Sequence, residues 1–271
     1  MSTITATLPA GRRLATHPSA AEAFSHIRAM AWRALQKMRR NPEQFFDVTV
    51  QPLLFTAMFT YIFGGAISGD VSSYLPLIIP GIMAQTAMTS CMATGIQLRE
   101  DMDKGVFDRF KSLPIARFAP LAGPALADLV RYGLAATLTV AAGVAMGFRP
   151  AGGVFGVVAG CGLAMITAWS MAWIFTWLGT VARSATAVQG MGMMVMFPLT
   201  FLSNAFVPIE TLPGWMQTFV RLNPVSHVVT ALRGLMNGVH VTGDIAWALI
   251  GCAVVVVIFL PLAVRNYSRK M

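Results

Sequence analysis

Apolar residues run along this chain in long blocks, with neither the alternation of half-buried strands nor the narrow stripes of soluble helices. Six blocks, at about 47–66, 75–97, 124–147, 153–180, 188–207 and 245–264, approach the roughly 20 apolar residues a helix needs to cross hydrocarbon. Without water, each backbone N–H and C=O must be satisfied inside its own segment, which a helix achieves and an open strand does not. The pattern predicts an all-α integral membrane fold: six transmembrane helices forming one domain over 45–271, after a polar, disordered tail at 1–18.

Two further segments are amphipathic. Over 19–44, Ser19 and Glu22 form a capping-box pattern, and Phe24, Ile27, Ala31, Leu35 and Met38 recur at helical spacing opposite Arg28, Arg33, Lys37, Arg39 and Arg40. This predicts a helix at the membrane interface that Pro42 ends, either a basic anchor or a gating element. Over 207–243, Pro208, Pro213 and Pro224 rule out one straight helix, yet Trp215, Phe219, Val225, Val228, Val229 and Leu232 call for burial. Two short helices broken at Pro213-Gly214 and Asn223-Pro224, dipping into the outer leaflet and returning, meet both demands.

Composition agrees with the blocks. Hydrophobic residues make up 56% and charged residues 11% of the 271 positions, against a charged share of about 25% in soluble domains. Charge fixes the expected orientation. With the N-terminus in the cytosol, sixteen of the twenty Lys and Arg fall on the cytosolic side, and only Arg149, Arg221 and Arg233 fall outside. The net charge of +9 is thus the positive-inside bias, and a nucleic-acid partner is not expected. Residues 1–44 lack a continuous apolar h-region, so no cleavable signal peptide is expected. Cys91, Cys161 and Cys252 each fall in a predicted span, without metal-like spacing.

Polar positions inside the spans admit two readings. Gln85, Thr86, Ser90 and Gln97 lie near one stripe of the second span, lining a path or knitting helices together. Phe55, Phe59, Met194, Phe197, Thr200 and Asn204 join Gln85, Thr86 and Ser90 as candidate path residues, the methionines suiting a wall that adapts to apolar cargo. Asp128 and Arg131, three apart, form a structural pair, or Asp128 titrates in a proton-driven carrier. Gly152, Gly156 and Gly160 let another helix approach, while Trp169, Trp173 and Trp177 mark a packing or lipid-facing stripe.

Catalytic patterns are absent: there is no H-E-x-x-H, no G-x-S-x-G and no cluster of His with carboxylates. The remaining chemistry sits at 99–120, where Glu100, Asp101, Asp103 and Asp108 mix with Arg99, Lys104, Arg109, Lys111 and Arg117. Gly105 followed by Phe110-Lys111-Ser112 imitates a phosphate loop, but that motif needs glycine before the lysine, so this chain is expected to bind no ATP itself. The topology rule asks only for Lys and Arg and leaves four acids unexplained. A docking helix accounts for them: Val106, Phe107, Phe110 and Leu113 form its apolar side, charges set its register, and Pro114 terminates it.

The island "EDMDKGVFDRFKSLPIAR" and the segment "FPLTFLSNAFVPIETLPGWMQTFVRLNPVSHVVTALRGL" resemble the permease subunits of type-2 ABC exporters, closest to the daunorubicin-resistance branch. Pro208, Leu212-Pro213, Trp215, Asn223-Pro224 and Arg233 match one family motif, and Gly105, Phe110, Leu113 and Pro114 match another. Asp103 stands where the family often has glutamate. The resemblance implies a six-span subunit of the plasma membrane that pairs with a second permease copy or homologue and with two separate cytosolic ATP-binding subunits. Those partners hold ATP and Mg. It also implies that the island, with Arg28 and Arg33, contacts the ATPase, that 207–243 forms an outer gate, and that lipophilic drugs, antibiotics or lipids are moved outward.

Overall fold

The computed structural model describes residues 20–106 and 119–270, and these form nine α-helices and one short 3-10 turn. In chain order they are α1 (Ala20–Arg40), α2 (Pro42–Ser68), α3 (Val71–Asp103), α4 (Ala119–Ala145), α5 (Gly153–Val181), α6 (Ala185–Phe201), the 3-10 turn Ile209–Thr211, α7 (Gly214–Leu222), α8 (Pro224–Asn237) and α9 (Thr242–Lys270). Among the described residues, α3, α4, α5 and α9 are long and apolar enough to cross a membrane, where the pattern predicts six such helices. The apolar helix α6 is shorter, ending at Phe201 instead of 207. There Ser203 and its neighbours bond the backbone in place of helix continuation, with the Ser203 hydroxyl donating to Thr200 O and accepting from Ala205 N at 3.2 Å.

Helix α1 ends at Arg40, ahead of Pro42 as expected, and Pro42 itself starts the next helix. It occupies the first turn of α2, where its missing N–H has no helical partner to lose. Gly69, at φ +78°, turns the chain, and Asp70 then caps α3 by accepting from Ser73 N at 2.7 Å and from the Ser72 hydroxyl at 3.0 Å. Those bonds, Ser73 first, hold the Asp70 carboxyl below its ordinary pKa.

Helix α3 is the axis of the molecule. Tyr74, Leu75, Ile78, Ile79, Ile82, Met88 and Cys91 are fully buried, and α2, α4, α5, α6 and α8 all pack on it. Burial covers 72% of its apolar window but only 11% of that of α9, so α3 is a core element and α9 presents most of its surface to the surroundings. Backbones meet where α3 crosses α5. A methyl on Gly95 would overlap the Phe175 carbonyl, and one on Gly179 would lie 2.6 Å from Gly95 O. The stripe Gly152, Gly156 and Gly160 faces α8, the first two against Leu235 O and the third against Met236. Trp169, Trp173 and Trp177 pack toward α9, with Trp173 buried beside Ala263 and Trp177 edge-on to Phe259 at 5.6 Å.

Helix α1 lies along α4. Gly123 is so close to Met30 and Ala31 that an added methyl would collide, and the apolar face of α1 is therefore partly covered by protein. Phe24 and Trp32 remain exposed.

A buried polar cluster ties α3 to α4. Arg131 Nη2 forms an ion pair with Asp128 Oδ1 at 3.0 Å and donates to Ser90 O at 2.9 Å and to Thr94 Oγ1 at 3.1 Å, while the Thr94 hydroxyl donates to Asp128 Oδ2 at 2.6 Å. The Tyr132 hydroxyl lies 3.1 Å from Thr94 Oγ1. The expected structural pair is present and lies deep in the packing, with Arg131 at 4% exposure.

Two outcomes follow for unfolding measured in detergent. Gly95→Ala is expected to cost about 1–3 kcal/mol by overpacking, while Gly162→Ala, with open space around it, is neutral or stabilising by helix propensity. Arg131→Met is expected to cost about 3–5 kcal/mol by stranding the Asp128 charge, and adding Asp128→Leu recovers most of the loss. Equal melting of the Arg131→Met single and the double variant removes the pair from the stability argument.

Candidate functional site

The charged island begins as a direct continuation of α3. The helix runs unbroken to Asp103, so Glu100, Asp101 and Asp103 project from the end of a 33-residue rod, about 50 Å long at 1.5 Å per residue. Each has an intrachain partner. Asp101 accepts from Lys37 Nζ of α1 at 2.8 Å, Lys104 reaches Glu100 at 3.3 Å, and Arg99 pairs with Asp103 one turn away. Gly105 then leaves the helix at φ +66°, a left-handed conformation that costs glycine little. The other predicted contact residues of the island, Phe107, Asp108, Arg109, Phe110, Leu113 and Pro114, lie outside the described residues. Arg28 and Arg33 belong to α1, and Arg33 lines a cleft between α1, α3 and α4 that also includes Lys37 and Asp101.

At this end of the molecule α1, the end of α3, the start of α4 and the last turns of α9 converge. Leu121 and Tyr267 are buried together there, against Leu98, Met102 and Val264. The α3 terminus therefore contacts α1 through Lys37 and α4 through Leu121. Sequence reading missed the Lys37–Asp101 bond, because 64 positions separate its partners and neither periodicity nor spacing joins them. Thr94 had a usable signal, since it continues the four-residue step from Thr86 to Ser90.

The opposite end holds segment 207–243, with helix breaks at the two predicted places, Pro213 and Asn223. Asn223 caps α8 by accepting from Val225 N at 2.9 Å, and its amide donates to Leu199 O at 2.7 Å and Leu202 O at 2.8 Å, carbonyls at the end of α6. Pro224 fills the first turn of α8. Arg233 donates to Leu77 O at 3.2 Å and Asn204 O at 2.9 Å, clamping α8 to α3. Pro208 and Pro213 flank the 3-10 turn. His227 Nδ1 lies 2.8 Å from Asp244 Oδ1, tying α8 to the first turn of α9, a contact the scattered histidines gave no hint of.

The apolar residues of this segment divide into two sets. Val225, Val228, Val229 and Leu232 are buried, but Trp215 is 72% exposed and Phe219 45%. Among the described residues the apolar side of α7 finds no cover, because a nine-residue helix joined through turns packs only Val220 inward.

The candidate path residues separate into three groups. Phe55 stacks on Phe59 at 5.8 Å, Phe59 on Phe206 at 4.7 Å, and Phe201 links Phe206 at 5.3 Å to Phe197 at 4.3 Å, forming an aromatic ladder from α2 to α6. Met194 and Phe197 extend it onto the exposed face of α6. Thr86 and Ser90 instead line a small cavity with Tyr132 between α3, α4 and α5, and Gln85 Oε1 is buried without a hydrogen-bond partner among the described residues. Thr200 and Asn204 make structural bonds, Thr200 to Met196 O at 2.7 Å and Asn204 to Thr230 Oγ1 at 2.9 Å. Among the described residues no group of His, Cys, Asp and Glu is placed to hold a metal.

Residues 25–237 match the ABC-2 type transporter family. The chain is 40% identical to the daunorubicin resistance ABC transporter permease protein DrrB1 of Streptomyces coeruleorubidus, over 99% of this chain and 97% of that protein. It is 27% identical to the probable doxorubicin resistance ABC transporter permease protein DrrC of Mycobacterium tuberculosis, over 88% and 86% of the two chains, and 25% identical to the putative transport permease ycf38 of Pyropia yezoensis, over 80% and 76%. A helical membrane chain that matches over nearly its whole length belongs to the ABC-2 type transporter family, as a permease of the daunorubicin-resistance branch.

Proposed function

We propose that this permease is the membrane half of an ATP-driven exporter that moves a lipophilic or amphiphilic drug, antibiotic or lipid outward across the plasma membrane. In this reading it crosses the membrane six times, through α2, α3, α4, α5, α6 and α9, with both termini cytosolic. Two separate ATP-binding subunits hold ATP and Mg, and a second permease copy or homologue completes the path. The observation that carries the reading is α3: one buried helix reaches from the Arg233 clamp to the island, where Lys37–Asp101 joins it to α1. ATP-driven closure of the partner subunits pushes on the island, α3 carries the displacement through the core, and segment 207–243 opens at the far end. The drug-resistance names of the relatives support the cargo class.

Asp128, the acid a proton-driven carrier would use, has both oxygens occupied, by Arg131 and by Thr94. That arrangement favours a fixed structural pair over an acid that exchanges its proton every cycle.

The test is reconstitution with the ATP-binding subunit. Phe107→Asp combined with Phe110→Asp is expected to abolish co-purification of that subunit and lower ATP-dependent dye efflux at least tenfold, with the melting temperature unchanged. An ATPase still bound and efflux intact would place the joint elsewhere. A charge exchange checks the link to α1. Lys37→Glu lowers efflux severalfold, and Lys37→Glu with Asp101→Lys restores at least half of it. Stability moves by no more than about 1 kcal/mol in either variant, because the pair is partly solvated.

A further inference from the structure

The end of α9 breaks the pattern of the helix that carries it. Most of α9 faces the surroundings, and the residues it buries, Ala248, Cys252 and Ala263, are small. Tyr267 lies one turn beyond Ala263 on the same stripe, yet it is a large ring at 1% exposure. The main neighbours of α9 are α5 and α8, and Tyr267 extends its reach to Leu98 and Met102 of α3 and to Leu121 of α4. Met102 is next to Asp101 in the chain. The end of α3 is therefore held from two directions, by Lys37 of α1 through an ion pair and by Tyr267 of α9 through a buried ring. A partly solvated ion pair contributes little, whereas a buried aromatic ring removes roughly 150–250 Å² from water. The ring is the firmer of the two holds.

We propose that Tyr267 is a positioning residue for energy coupling: through it α9 braces the end of α3, so that a push on the island passes along α3 and is not lost as a tilt of its free end. The inference rests on the ATP-driven reading given above. Sealed inside the chain, the ring touches neither nucleotide nor ATPase and acts only by packing. Without it, α3 ends in a joint closed by Lys37–Asp101 alone on one side and by a void on the other. Hydrolysis then proceeds on the partner subunits while less of their motion reaches segment 207–243.

Complexes of the full chain with its ATP-binding subunit, reconstituted in vesicles, are assayed for dye exported per ATP hydrolysed, a ratio that does not change when a fraction of the protein merely unfolds. Tyr267→Leu is expected to lower this ratio about fivefold, with the ATPase still co-purified and its turnover retained, and Tyr267→Phe to keep the wild-type ratio. Met102→Ala loosens the same contact from α3 and is expected to act as Tyr267→Leu does. Phe148→Leu alters an equally buried ring just after α4, at the other end of that helix, and is expected to lower the melting temperature and leave the ratio alone. A wild-type ratio in Tyr267→Leu, or in Met102→Ala where Tyr267→Leu does not fold, overturns the proposal. So does an equal fall in Phe148→Leu, which makes the effect general loosening, or in Tyr267→Phe, which takes it away from packing. A wild-type complex that exports no dye on hydrolysing ATP is a different failure: it overturns the function proposed above, and this inference with it.

Discussion

A proline inside a membrane helix leaves one carbonyl without its donor, and in hydrocarbon only protein can supply another. Pro80 creates this deficit at Pro76 O, four residues earlier, and the Asn237 amide fills it at 2.9 Å from the end of α8. Arg233 adds donors to the neighbouring Leu77 O, and the Tyr74 hydroxyl bonds Phe206 O at 2.8 Å. Segment 207–243 is therefore seated on α3 by the irregularities of α3 itself. Since the same helix continues without a break to Asp103, the two ends of the coupling path proposed above share one helix.

Much of this was legible because local chemistry decides it. Helix breaks at Pro213 and Asn223 follow from proline and capping geometry, and the glycine stripe of α5 announced a close approach before its partner α8 was known. What was not legible depends on distant packing. The Lys37–Asp101 bond joins residues that no pattern connects, and Trp215 defeats the rule that apolar means self-buried. In a membrane protein an apolar side chain is equally well satisfied by lipid or by another subunit, so hydrophobicity alone cannot say which way α7 faces. The candidate path residues show the same limit. A stripe places Thr86 and Ser90 on one side of α3, but only the fold shows that this side turns toward Tyr132 and away from the aromatic ladder.

The island's chemistry also divides differently than its composition suggests. Four acids seemed to need an external partner, yet Glu100, Asp101 and Asp103 are matched within the chain by Lys104, Lys37 and Arg99. Of these, only Asp101 ties the end of α3 to α1, while the pairs of Glu100 and Asp103 lie within the end of α3 itself. On the function proposed above, recognition of a neighbouring subunit is carried by the rest of the island, which lies outside the described residues.

The deep Asp128–Arg131 pair fits a transmission element better than a transport site. Desolvating two charges is costly, and such a pair contributes little net stability relative to well-packed apolar residues. It does impose a unique register, because any sliding of α3 against α4 separates Thr94 and Ser90 O from the guanidinium and exposes unpaired charge to a low dielectric. Forbidding that slide makes α3 and α4 move as one body. In the exporter proposed above, force applied near Asp101 would then reach the far end as displacement of a packed pair instead of dissipating in slip between helices.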